Sequence, residues 1–141
     1  MMGAAAVLAP VFVEVALTFG LLFWVGALRV EAVRSGAVRS RDIALREPNW
    51  PPRILQVANA YHSQLELPVL FYLLSMLVLF TGRSTITLLV LSWLFVISRL
   101  LHSLVHVTTN NVPRRFFMFL IGATILLLMW LIYVVDLFLG S

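Results

Sequence analysis

Four runs of this chain, about 4–28, 55–81, 85–107 and 114–139, are apolar over lengths that suit a lipid bilayer better than the interior of a water-soluble domain. A helix rising ~1.5 Å per residue needs about 20 such residues to cross the hydrocarbon core. Over all 141 residues the hydrophobic share is 62% and the mean hydropathy is +1.02, far above soluble proteins. The fold class expected is all-α: one integral membrane four-helix bundle occupying residues 1–141. The first run is longer than a signal-peptide core and lacks a cleavage pattern, so it is expected to be retained as a span.

Between the spans the chain is punctuated. Pro48-Asn49-Trp50-Pro51-Pro52 ends any earlier helix and can open the next, with Trp50 suited to the lipid interface. Thr81-Gly82-Arg83-Ser84 reads as a tight turn, and Thr108 to Pro113 as the next break. Pro68 lacks an N–H and leaves the Gln64 carbonyl without its helical partner, so the second span is expected to kink beside Glu66.

All ten basic residues are arginine, and the net charge is +4. Arg29, Arg34, Arg39, Arg41, Arg46, Arg53, Arg114 and Arg115 flank the first and third connections, whereas Arg83 alone marks the second. The positive-inside rule then puts both long connections in the cytoplasm and both termini on the non-cytoplasmic side. Such a charge pattern points to anionic membrane lipids as partners, and no nucleic-acid motif accompanies it. The chain has no cysteine, which excludes disulfides, thiolate ligands and a cysteine nucleophile.

Within the spans, polar residues recur at helical spacing. Asn59, His62, Ser63 and Glu66 share one face of the second helix, and Arg99, His102, Ser103 and His106 share one face of the third. Ionisable groups are costly in lipid, so these stripes are the candidate functional site and should face each other. Glu66 and Arg99 each lie about 16 residues from the tight turn, about 24 Å along the helix, so an ion pair between them is expected at the centre of the bundle. The same count sets His62 level with Ser103 and Asn59 level with His106. The pair could be purely architectural, and the histidines could simply hydrogen-bond across helices.

His62, Glu66, His102 and His106 could make up four metal ligands, but Arg99 among them would repel a cation, so no metal is expected. Glu14, isolated in the first span, is expected to face the bundle interior or a subunit contact, and Asp136 the outer interface. The aromatic fourth span, with Phe116, Phe117, Phe119, Trp130 and Tyr133, reads as packing and lipid contact. Gly20, Gly26 and Gly122 permit close helix approach without forming a GxxxG pair.

The run Gln64-Leu65-Glu66-Leu67-Pro68-Val69-Leu70-Phe71-Tyr72 resembles a bacterial branch of the MAPEG proteins, membrane-associated proteins in eicosanoid and glutathione metabolism, and the likeness spans nearly the whole chain. The family's second-helix motif reads here as Asn59-Ala60-Tyr61-His62-Ser63-Gln64-Leu65-Glu66. Ala60 and Glu66 are kept, while Asn59, Tyr61 and Ser63 stand where the family has arginine, histidine and asparagine. Arg99 and His102 match the third-helix arginine and histidine, and His106 replaces a tyrosine. Pro113 and Arg115 match the start of the fourth helix, and Phe116 and Phe119 replace a serine and a tyrosine of the prostaglandin-synthase branch.

The resemblance implies a homotrimer with ligand sites between subunits and glutathione as cosubstrate. It implies Arg115 as the catalytic group that stabilises the thiolate, and Arg29 as a contact to the glutathione carboxylate. Asn59, His62, Ser63, Glu66, Arg99, His102 and His106 would complete the cosubstrate site. Two functions follow as expectations: a thiol-dependent transferase or peroxidase acting on a lipophilic small molecule in a bacterial inner membrane, or a non-catalytic lipid-binding or scaffolding member. A small transporter using His62, Glu66 and His102 is disfavoured by the absence of an inverted repeat.

Overall fold

The structure, a computed structural model, describes residues 2–45 and 49–140, and Arg46 and Pro48 of the first connection lie outside the described residues. It is all-helical: α1 (Ala4–Arg34), α2 (Pro52–Ser63), α3 (Leu67–Thr81), α4 (Ile86–Val107) and α5 (Val112–Leu139), with a short 3-10 turn at Ser40–Asp42. Four segments are long and apolar enough to cross a membrane, α2 and α3 together making the second.

The helix of the first span outruns its apolar run. It continues to Arg34, because hydropathy falls at Arg29 but nothing breaks the helix until Ser35 and Gly36. Gly36 adopts φ 80, the left-handed conformation that glycine takes without a Cβ penalty, and its N–H closes on the Val33 carbonyl at 3.2 Å. At 31 residues the helix is about 46 Å long, so its arginine-bearing last turns project beyond a ~30 Å hydrocarbon layer.

The second span is broken, not merely kinked. Gln64, Leu65 and Glu66 donate their backbone N–H groups three residues back, to Tyr61, His62 and Ser63, at 2.9, 3.0 and 3.3 Å. The helix tightens, ends, and restarts with Pro68 in the first turn of α3, where a missing N–H costs nothing.

Two ends of the bundle are thereby defined. At one, Gly82 (φ 66) turns α3 into α4, Thr85 caps α4 by accepting from the Leu88 N–H at 3.2 Å, and Arg83 pairs with Asp136 at 3.1 Å. The Met2 N–H donates to Ser84 Oγ at 2.9 Å, so the described residues nearest both termini sit at this end. Asp136 thus lies at the end of the bundle nearest the termini. At the other, Arg29 lies 5.2 Å from the Trp50 ring centre and Arg53 lies 5.0 Å from that of Trp24. Arg53 also donates to the Val107 carbonyl.

Phe71, Leu74 and Val78 of α3 pack with Phe95 and Val96 of α4 and Leu126, Met129 and Tyr133 of α5 to form the main core. The Phe71 and Phe95 ring centres are 4.8 Å apart. Around this core Phe12, Phe23, Met76, Ile97, Leu127 and Leu131 point outward, an apolar surface appropriate to lipid or to further protein.

Candidate functional site

Near the arginine-rich end, the break between α2 and α3 leaves α2 free to present its polar face at an angle its continuation does not share. Across from it, α4 ends at Val107, and Asn110 takes φ 51 with its N–H on the Val105 carbonyl at 2.7 Å. Asn111 then caps α5, its side-chain oxygen accepting from the Arg114 N–H at 3.1 Å. This sharp return places Arg115, in the first turns of α5, beside the last turns of α4.

The result is an open cavity of about 410 Å³, lined on its polar side by Asn59, His62, Ser63, Glu66, His102, His106 and Arg115. Val112, Phe116 and Phe119 line its apolar side. Phe116 and Phe119 therefore do more than pack or meet lipid: they wall a polar cavity. A volume in this range is that of a small-molecule site, here with mostly polar lining residues and one apolar wall. Of the residues expected from sequence, seven line one space.

Arg99 and Arg29 do not line it. Arg99 is buried behind the cavity and donates through Nη2 to the Ser63 carbonyl at 2.9 Å and to Ser63 Oγ at 2.5 Å. The expected Glu66–Arg99 ion pair does not form among the described residues: Glu66 sits at the helix break with its side chain exposed in the cavity. The depth argument holds, since α2 and α4 do meet at this level. What the break changes is the facing, for the short turn swings Glu66 outward and brings Ser63 and Gln64 inward. Gln64 Nε2 donates to Ser103 Oγ at 3.0 Å, the serine that counting from the turn set level with His62.

The carboxylate buried with Arg99 is Glu14 of α1, which is fully enclosed and within electrostatic reach of the guanidinium. Glu14 therefore faces the bundle interior. Arg29, with its ring contact to Trp50, stands apart from the cavity within one chain.

Arg115 Nη1 donates to Asn110 Oδ1 at 2.8 Å, which orients the guanidinium at the cavity wall close to the positive end of α5. Asn110 was not foreseen as part of the site, although an asparagine five residues before Arg115 in a helix-to-helix break was a legible signal. His102 and His106 stack edge to face at 4.6 Å between ring centres, and Ser63 Oγ lies 3.5 Å from His102 Nδ1. With Arg115 and three imidazoles around a single carboxylate, Glu66, the cavity offers hydrogen-bond donors and, at Arg115, positive charge to an anionic or acceptor-bearing ligand. Among the described residues no group of three carboxylate or imidazole side chains is arranged to hold a metal ion.

The MAPEG family model matches residues 7–135, nearly the whole chain. The chain belongs to the MAPEG family. No curated protein and no solved structure is matched by it. MAPEG members include glutathione transferases and related enzymes. The four membrane-spanning helical segments fit an integral membrane protein of that family.

Proposed function

We propose that this MAPEG protein is a glutathione- or thiol-dependent transferase or peroxidase for lipophilic substrates that enter from the bilayer. The observation that carries the reading is the gathering of Arg115, His102, His106, Asn59, His62 and Glu66 around one cavity that also has an aromatic wall. A guanidinium beside a helix N-terminus lowers the cost of a thiolate, the reactive form of the cosubstrate. Attack of that sulfur on an electrophilic carbon forms a C–S bond and expels the leaving group. Attack on a hydroperoxide instead gives the alcohol and a sulfenate, which a second thiol converts to disulfide and water.

In this reading the protein assembles as a homotrimer, and α1 of a neighbouring copy closes the open side of the cavity, which gives Arg29 a route to the cosubstrate carboxylate. The membrane is a bacterial inner membrane with the arginine-rich end cytoplasmic. Calorimetric titration with glutathione, beside an ultraviolet scan for thiolate absorbance, tests the proposal. Saturable binding with a thiolate signal lost in Arg115→Ala, and turnover reduced about 10²- to 10³-fold, is the expected result. No binding at millimolar thiol would overturn it.

Two observations favour a second reading, a non-catalytic lipid-binding or scaffolding member. Ser63, at the position of the motif asparagine, lines the cavity but already accepts from Arg99, and Arg29 lies apart from the cavity in one chain. Co-purified lipid displaced by no thiol would support that alternative.

A further inference from the structure

The cavity has a second layer. Arg99 uses one nitrogen, Nη2, on Ser63, and its Nε and Nη1 are buried with no hydrogen-bond partner. Both carboxylate oxygens of Glu14 are likewise buried and unbonded, and the two groups are within electrostatic reach of each other. The two groups are not in direct contact among the described residues, but each is a charge the bilayer core would otherwise penalise, and each offsets the other across the buried interior.

Proton bookkeeping at Ser63 then reaches into the cavity. A guanidinium has no acceptor, so in the 2.5 Å contact Arg99 donates and Ser63 Oγ accepts. The serine keeps its own hydroxyl hydrogen to donate, and His102 Nδ1 is 3.5 Å away. A neutral imidazole that accepts at Nδ1 carries its proton on Nε2. The opposite tautomer would make Oγ accept twice and send its proton away from both partners.

We propose that Arg99, countered by Glu14, acts through Ser63 to fix His102 as the Nε2–H tautomer, so that the ring offers a hydrogen-bond donor to an anionic or carbonyl-type group in the cavity. Arg99, Glu14 and Ser63 are positioning residues here, and His102 is the group that meets the ligand. The ligand half of this inference rests on the cavity being the binding site; the tautomer half does not. Paired with Arg115 on the facing helix, a fixed N–H selects a ligand carrying an acceptor and disfavours one that presents a donor at the same point.

Nitrogen NMR of the histidine-labelled full-length protein in detergent micelles at neutral pH tests this, with His62→Gln and His106→Gln used to assign the three imidazoles. The expected His102 spectrum shows a protonated Nε2 and a bare Nδ1 in a ratio of about tenfold over the other tautomer, the ratio a hydrogen bond worth ~1.4 kcal/mol gives. Ser63→Ala is expected to lower that ratio towards the modest Nε2–H preference of an unconstrained histidine, and Ser63→Thr, which restores a hydroxyl, to recover it. Glu14→Gln should move the ratio in the same direction as Ser63→Ala; if that variant does not fold, the two serine variants carry the test. A protonated Nδ1, an imidazolium, or a spectrum unchanged in Ser63→Ala would overturn the proposal, and a spectrum unchanged in Glu14→Gln would remove Glu14 from it. No thiol is present in the measurement, so failure to bind glutathione and failure of the relay are separate results.

Discussion

The two ends of the bundle solve the same problem, polar groups at the edge of lipid, in opposite ways. At the end nearest the termini, Arg83 reaches Asp136 directly, Thr81 Oγ1 meets the Tyr133 hydroxyl at 3.3 Å, and Ser84 holds Met2. Phe71, Leu74, Val78 and Met129 fill the core beneath these contacts. At the arginine-rich end α2 and α5 stand apart, and polar side chains line about 410 Å³ of open space. Short direct contacts tie the first end together, whereas polar groups gathered around open space equip the second to bind something.

The largest effect that would sharpen this contrast belongs to Arg99. Arg99→Met leaves the Glu14 carboxylate buried without a counter-charge and should cost about 3–5 kcal/mol in equilibrium unfolding from mixed micelles. Adding Glu14→Gln to that variant should recover much of the loss. Glu66→Gln, by contrast, should unfold close to the parent; a loss as large as that of Arg99→Met would mean that Glu66 is the buried partner after all.

Next in size is helix approach. A Cβ on Gly122 would fall 2.9 Å from Ser98 Oγ, which itself donates to the Phe95 carbonyl at 2.6 Å, whereas a Cβ on Gly20 meets nothing within 4 Å. Gly122→Val should therefore cost about 1–3 kcal/mol by the same measurement and Gly20→Val much less. Equal losses would show that α4 and α5 are not packed as closely as described.

Smaller still, Asn111→Ala removes the cap of α5 and should cost about 1 kcal/mol. Because Arg115 stands in the same first turns, that variant should also weaken any thiolate signal more than it lowers the melting temperature. The smallest change is expected at the closed end. Arg83→Ala breaks a pair whose side chains are 28% and 41% exposed, worth about 0–1 kcal/mol, and should leave ligand binding unaltered. Altered binding there would join the two ends energetically and break the comparison.

The spans were legible because crossing a bilayer depends on a sum over about 20 side chains, which no neighbouring helix changes. The break before Pro68 was legible in kind but not in degree, since a missing N–H marks the place and the packing around it decides how far the helix unwinds. The polar lining of the cavity was legible as well: Asn59, His62, Ser63 and Glu66 share a face whatever they meet, and the short turn at Gly82 fixes the depth at which α4 answers them. The end of α1 lies beyond its apolar run because hydropathy measures preference for lipid, and Arg29 to Arg34 leave lipid without leaving the helix.

Sequence by itself determined the number of spans, their order, the charge asymmetry of the two ends and most of the polar side chains that line the cavity, since each follows from local composition or helical period. Only the tertiary structure decided that Arg99 is buried with Glu14 rather than paired with Glu66, that Ser63 is spent on Arg99, and that Asn110 holds Arg115. Those outcomes depend on the rotation of one helix about its axis relative to another, and on a break that turns a face through a fraction of a helical turn. Neither leaves a trace in spacing along the chain.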